Sequence, residues 1–223
     1  LNILFAPTIT NIYTKKSKNN TQGETMNIAL LGATGKFGRL FTAKLLANPN
    51  YHLTLISKTA GNLFEDSHRV TAISIDATNQ KDLKNALEGQ DFVYCAVSGP
   101  DQAAIARNLT EIKPKRLAYM TVVGIYNELA EDNGAEFNLD NSREQIPNRN
   151  ATDIIEGSNL DYTILRCGYL ISGDENEYTI AEKGETPKGY ITTMESVEKI
   201  GLEIIQDHDK YSCKSISITK DMT

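Results

Sequence analysis

Cysteine is scarce in this chain. Cys95, Cys167 and Cys213 lie far apart, with no C-x-x-C pair and no cluster with histidine. That leaves no disulfide framework and no metal site to expect, and it suggests a reducing, cytoplasmic setting. The three histidines carry no motif. No apolar run approaches the roughly 18 residues of a membrane span, so no membrane association is expected. No segment repeats at the period of a solenoid. Positive charge is also short: the net charge is −6. Residues 1–25 hold Lys15, Lys16 and Lys18 against Glu24 alone, so the remainder is more acidic than the whole. A nucleic-acid surface is therefore not expected. What remains is 223 residues, 40% hydrophobic and 23% charged, enough for one substantial core.

The chain is organised around residues 26–58. Ile28 to Leu31 is an apolar run of the kind a buried parallel strand uses. Gly32-Ala33-Thr34-Gly35-Lys36-Phe37-Gly38 follows, then Phe37, Leu40, Phe41, Leu45 and Leu46 recur at helical spacing. Asn48-Pro49-Asn50 stops the helix, and Leu53 to Ile56 reads as a second strand. In such a unit Gly32 turns the chain off the strand. Gly35 removes a side chain where a pyrophosphate approaches, and Gly38 lets helix and strand pack closely. The helix N-terminus offers free N–H groups to the phosphates.

The G-x-x-G-x-x-G spacing resembles the fingerprint of the short-chain dehydrogenase/reductase superfamily, and it is most similar to the atypical NAD(P)H-binding, NmrA-like branch. Leu160-Asp-Tyr-Thr-Ile-Leu-Arg-Cys-Gly168 is similar to a second signature of that branch, with Asn159 in place of a glycine and Cys167 in place of a proline. An NAD site places an acid about 20 residues past the glycines, on the ribose 2′-hydroxyl. This chain has Ser57-Lys58 there, and no acid lies between Gly38 and Glu65. Lys58, seconded by Lys36, suits a 2′-phosphate, so the expected cofactor is NADP rather than NAD.

Further strands are predicted at Val70–Ile75, Asp91–Val97, Leu117–Val123, Asp161–Arg166 and Ser215–Thr219, alternating with helices near 79–87, 101–111 and 194–206. That alternation implies an α/β fold with one doubly wound parallel sheet (a Rossmann fold), in strand order 3-2-1-4-5-6 with a seventh strand. Asp76-Ala77 ends the third strand. The resemblance gives Asp76 a contact with the adenine edge, and it or Thr78 also suits a helix N-cap. Ala96-Val97-Ser98 ends the fourth strand and is expected beside the cofactor ribose. Polar connections over 124–150 and 172–192 are read as substrate-side insertions facing each other across the cofactor. Residues 1–25 are read as an extension outside the fold, with 26–223 as the domain. A segment that docks on a partner is the other reading.

The reductases of the superfamily pair a tyrosine with a lysine four residues on. None of the ten tyrosines here has one. By resemblance, Thr121 stands beside the catalytic serine position, which Val122 occupies. Thr121 and Tyr126 are the polar groups expected near the nicotinamide, and Arg149 falls about where the lysine would. An arginine stays protonated and does not replace lysine in lowering a tyrosine pKa. Two functions stay open: an oxidoreductase passing hydride to a small carbonyl or quinone-like acceptor, and a non-catalytic NADP-sensing regulator. A small-molecule substrate is the expected partner, with the protein a monomer or homodimer.

Overall fold

Apolar runs that are buried along most of their length become the central strands. The computed structural model describes residues 25–223, so the extension predicted over 1–25 lies, apart from Thr25, outside the described residues. The chain runs β1 (Met26–Leu31), α1 (Lys36–Leu46), β2 (Tyr51–Ser57), a single turn α2 (Ala60–Leu63), β3 (Val70–Ser74), α3 (Gln80–Ala86), β4 (Phe92–Cys95), α4 (Gln102–Ile112) and β5 (Leu117–Val122). Two 3-10 turns, Ala135–Phe137 and Arg143–Gln145, precede α5 (Ile146–Glu156). Then come β6 (Tyr162–Cys167), β7 (Tyr169–Ile171), β8 (Thr179–Glu182), β9 (Ile191–Thr193), α6 (Met194–Gln206) and β10 (Lys214–Thr219).

The main sheet has the order β3-β2-β1-β4-β5-β6-β10-β8. Its first six strands are parallel neighbours in the order the sequence predicts. The seventh predicted strand is β10, which adds to β6 in parallel. β8 then closes the edge antiparallel to β10, and β7 pairs with β9 in a small separate ladder. The sequence predicts an irregular connection over 172–192. Instead β8 and the start of β9 lie within it, because β10 and β7 offer ladder partners far away in sequence.

Two apolar layers cover the sheet. On one face α1 and α6 pack Phe37, Phe41, Leu45, Val197 and Ile204 against Leu30, Tyr94 and Ile216. Phe41 stacks on Phe37 at 5.3 Å and tilts against Tyr94 at 4.7 Å, which anchors α1 over β4. On the other face α3, α4 and α5 bury Leu83, Ile105, Leu109 and Ile155 against Ala29, Val93 and Tyr119. The position of the α1 N-terminus above the strand ends is thus fixed by packing along the helix.

Local capping follows ordinary rules, with one correction. Of Thr192 and Thr193, the two threonines that the sequence offers as caps for α6, Thr193 takes the place, accepting from Ser196 N. α3 is capped by Asn79, which accepts from Lys81 N and Asp82 N, and not by Asp76 or Thr78. Asp76 instead turns back on Thr78 N and Oγ1 at 3.0 and 2.8 Å. The segment after β5 is tied down by a buried ion pair, Arg166 Nη1 to Glu128 Oε1 at 2.6 Å.

Candidate functional site

The glycine turn shows its three roles in atoms. Gly32 has φ +82°, and a Cβ there would sit 2.8 Å from Ala96 O. A Cβ on Gly38 would sit 2.3 Å from Gly32 O and 2.8 Å from Ala33 Cα, so α1 lies directly on the turn. Gly35 begins α1 at φ −64°, ψ 165°, with no side chain capping the helix. A Cβ there would meet only Gly32 O, at 3.2 Å. The first-turn N–H groups of α1 are therefore uncapped beside an uncrowded backbone, which is what a pyrophosphate needs.

Two cavities flank this helix end and share Val97 and Ser98. The first, of about 290 Å³, is walled by Gly32 and Thr34, by Ser57 and Lys58 after β2, and by Asp76 and Ala77 after β3. Ile75, Thr59, Asp101 and Ile105 complete it. Lys58 Nζ lies 2.9 Å from Asp76 and 3.7 Å from Asp101. The hydrogen bond to Asp76 raises the lysine pKa. The Asp76 carboxyl is lowered to about 2, first by the Thr78 backbone N–H and then by Lys58. Lysine and carboxylates are all substantially exposed, so the ion pairs are of the weak surface kind.

The second cavity, of about 250 Å³, is walled by Gly35, Lys36, Phe37 and Gly38 of the turn, by Ala96, and by Thr121 at the end of β5. Gln102, Asn148, Met120, Cys167 and Leu170 enclose the rest. Gln102 Nε2 donates to Asn148 Oδ1 at 2.8 Å, and Thr121 Oγ1 donates to the same oxygen at 3.4 Å. Cys167 is 2% exposed and burial pushes its thiol up to about 12, so it is not a nucleophile here.

Two of the predicted residues are not brought to the cleft. Tyr126 turns its hydroxyl to Glu156 at 2.7 Å and Ser215 at 3.1 Å, and burial raises its pKa well above the ordinary value. Arg149 binds Asp153 at 2.8 Å and Ile125 O at 3.1 Å, with its guanidinium over the Tyr126 ring. Both lie on the α5 side, away from the cavity walls. The residue preceding Arg149, Asn148, occupies the cleft instead. The 124–150 and 172–192 segments do meet, through Asn133 on Lys188 O and Phe137 on Tyr190. Of these segments only Asn148 lines either cavity, the second one, so they do not face each other across the cleft as the sequence suggests.

Sequence reasoning misses Gln102, Asn148 and Asp101 as wall residues. The position of Asp101 and Gln102 just after Ser98-Gly99-Pro100, at a helix start on the carboxyl side of the sheet, is the signal that could have found two of them. Among the described residues there is no group of three or more His, Cys, Asp or Glu side chains placed to hold a metal, and no helix is long and apolar enough to cross a membrane.

The sequence pattern of the NAD(P)H-binding family matches residues 32–208. The chain is 30% identical over 161 residues, 65% of this chain and 70% of the other, to the UPF0659 protein YMR090W of Saccharomyces cerevisiae. In structure it is similar to a short-chain dehydrogenase/reductase from Veillonella parvula in complex with NADP, at TM-score 0.78 and 26% identity over 89% of this chain and 96% of that one. It is also similar to a Rossmann-fold NAD(P)-binding family protein from Shigella flexneri, at TM-score 0.74 and 27% identity over 90% and 96%. The match spans the glycine turn, both cavities and α6, so this chain belongs to the NAD(P)H-binding family, of the atypical short-chain dehydrogenase/reductase type, with an oxidoreductase-like fold.

Proposed function

We propose that the protein is an NADP(H)-dependent oxidoreductase that passes hydride between the nicotinamide and a small carbonyl or quinone-like acceptor. The observation that carries this reading is the pair of cavities on either side of the uncapped α1 N-terminus. A dinucleotide has that shape: two nucleosides joined by a pyrophosphate. When bound, the cofactor supplies the hydride.

The residues of the chain divide the remaining work. The backbone of 35–38 holds the diphosphate, and Lys58 holds the 2′-phosphate. Lys58 now bridges Asp76 and Asp101, but exposed pairs are worth only about 0–1 kcal/mol, so a phosphate dianion competes for the lysine. The absence of an acid between Gly38 and Glu65 supports the same preference, as does the NADP-bound Veillonella neighbour. Thr121 and Asn148 line the hydride-transfer end. The Tyr126 hydroxyl is engaged by Glu156 and Ser215, so the proton that completes reduction comes from water. Catalysis then rests on positioning.

A second reading, an NADP-sensing regulator, is favoured by one observation. Apart from Lys36 and the buried Cys167 thiol, the side chains of the second cavity do not titrate. The test is calorimetric titration with NADPH and with NADH, repeated on Lys58→Asp. NADPH is expected to bind at least about tenfold more tightly, and the substitution to remove that margin. Equal affinity for the two, or a preference for NADH, overturns the NADP assignment. Turnover with quinone and aldehyde acceptors then separates enzyme from sensor.

A further inference from the structure

One charge stands alone in the second cavity. Among the described residues that line it, only Lys36 has a charged side chain. Lys36 does not line the first cavity, where Lys58 stands, so it lies away from the place proposed for the 2′-phosphate. It is the first residue of α1, it is exposed, and it forms no ion pair among the described residues. Arg39, three residues on and on the same helix face, is also exposed and also in no such pair. The first turn of α1 holds no acid. A helix N-terminus disfavours cations, and like charges three residues apart repel each other. Both side chains therefore cost stability where they stand, and an anion beside them offsets that cost. The diphosphate is met by the backbone N–H groups of 35–38 in the reading above, which leaves the lysine charge for a second anion.

We propose that the acceptor carries a carboxylate on an apolar body, and that Lys36 binds that carboxylate at the hydride-transfer end. This rests on the oxidoreductase reading above and names its substrate class. The walls suit such a molecule. Phe37 and Met120 are buried, Leu170 is half-buried, and none of the three offers a hydrogen bond to a polar body. A cation facing apolar walls selects a molecule with one anionic end. The chain carries a net charge of −6, so it does not draw anions from afar, and the selection is local to the lysine. In the reaction the carbonyl carbon takes the hydride of NADPH and its π pair moves to oxygen. That oxygen takes a proton from water, which leaves the alcohol, NADP+ and hydroxide.

The test uses 4-formylbenzoate and its neutral isostere 4-formylbenzamide. Each is titrated by calorimetry into wild type, Lys36→Gln and Lys36→Arg saturated with NADP+, and each is then offered with NADPH for turnover. Wild type is expected to bind the acid about three- to tenfold more tightly than the amide, the range of one charge-assisted contact at an exposed lysine. Lys36→Gln should remove that margin and Lys36→Arg should keep it. The margin should also shrink in about 1 M salt, where the screening length is about 3 Å. NADPH affinity should fall less in Lys36→Gln than affinity for the acid. Equal binding of acid and amide by wild type overturns the assignment, as does a margin that survives Lys36→Gln. An NADPH loss as large as the acid's also overturns it, because the lysine then serves the diphosphate. If wild type binds no NADPH, the dinucleotide reading falls and this assignment falls with it. Hydride transfer is read separately as NADPH oxidation, and its absence with the margin present counts against the oxidoreductase reading and not against the carboxylate site.

Discussion

Two alanine substitutions, three residues apart, should separate the fold from the site. At Gly38 a new Cβ would sit 2.3 Å from Gly32 O, 2.8 Å from Ala33 Cα and 2.9 Å from Ala33 C. All three are backbone atoms, so no side chain can swing away. Ordinary contact begins near 3.4 Å, so α1 must retreat by about an ångström from the turn. Overpacking of this kind costs about 1–3 kcal/mol, and a clash with three backbone atoms sits at the upper end, so about 2 kcal/mol of loss remains after the about 1 kcal/mol gained from alanine's better helix propensity. In a protein of this size each kcal/mol is worth about 2–4 °C in Tm, so Gly38→Ala should melt several degrees lower. Gly35→Ala is different. The backbone at φ −64°, ψ 165° suits alanine, and the nearest atom would be 3.2 Å away. Its stability should change by less than about 1 kcal/mol, because the few tenths of an ångström that Gly32 O must give offset the gain from the less flexible unfolded chain. Its methyl group, however, enters the space proposed for the pyrophosphate, so NADPH affinity should fall at least about tenfold. Thermal melts and calorimetric titration on both variants decide the matter. A Gly38→Ala protein as stable as wild type, or a Gly35→Ala protein that binds NADPH normally, refutes the reasoning.

Two further outcomes follow from buried charge. Glu128→Ala removes the carboxylate partner of the fully buried Arg166, whose Nε has no acceptor among the described residues. It should cost about 3–5 kcal/mol in urea unfolding, the usual penalty for stranding a buried charge. Glu198 on α6 is 7% exposed, and burial raises its carboxyl above the ordinary 4.5. A raised carboxyl pKa favours the folded state at low pH, and that contribution fades as pH rises through the folded value. Glu198→Gln should therefore stabilise the protein at pH 7, and the gain should close as pH falls below 4.5. A gain independent of pH in denaturant titrations would refute this cause.

The fold was legible where apolar runs met glycine. Leu30 and Leu31 before Gly32, and Phe41 and Leu45 after it, define β1 and α1 without any distant information. The edge was not legible. Strands of three or four residues such as β7, β8 and β9 have no period of their own and exist because β10 and one another supply hydrogen-bond partners. Along the cleft, Ser57, Lys58, Asp76 and Thr121 could be placed because strand ends on one edge of a parallel sheet must converge. Asn148 could not. Successive residues on a helix point about 100° apart, so an error of one position moves the choice from the cleft to the far side, as the contrast with Arg149 shows. Tyr126 was misplaced for a related reason. Its direction depends on Glu156 and Ser215, which are 30 and 89 residues away in sequence.

The carbonyl of Gly32 accepts from Gly35 N at 3.0 Å and at the same time abuts the Cα of Gly38 so closely that no Cβ fits. One oxygen therefore pins both ends of the turn. A loop held by its own backbone has little conformational freedom left to surrender when a ligand arrives. The end of α1 proposed to hold the diphosphate is ready before any encounter, and the entropy of ordering it is charged to folding and not to binding.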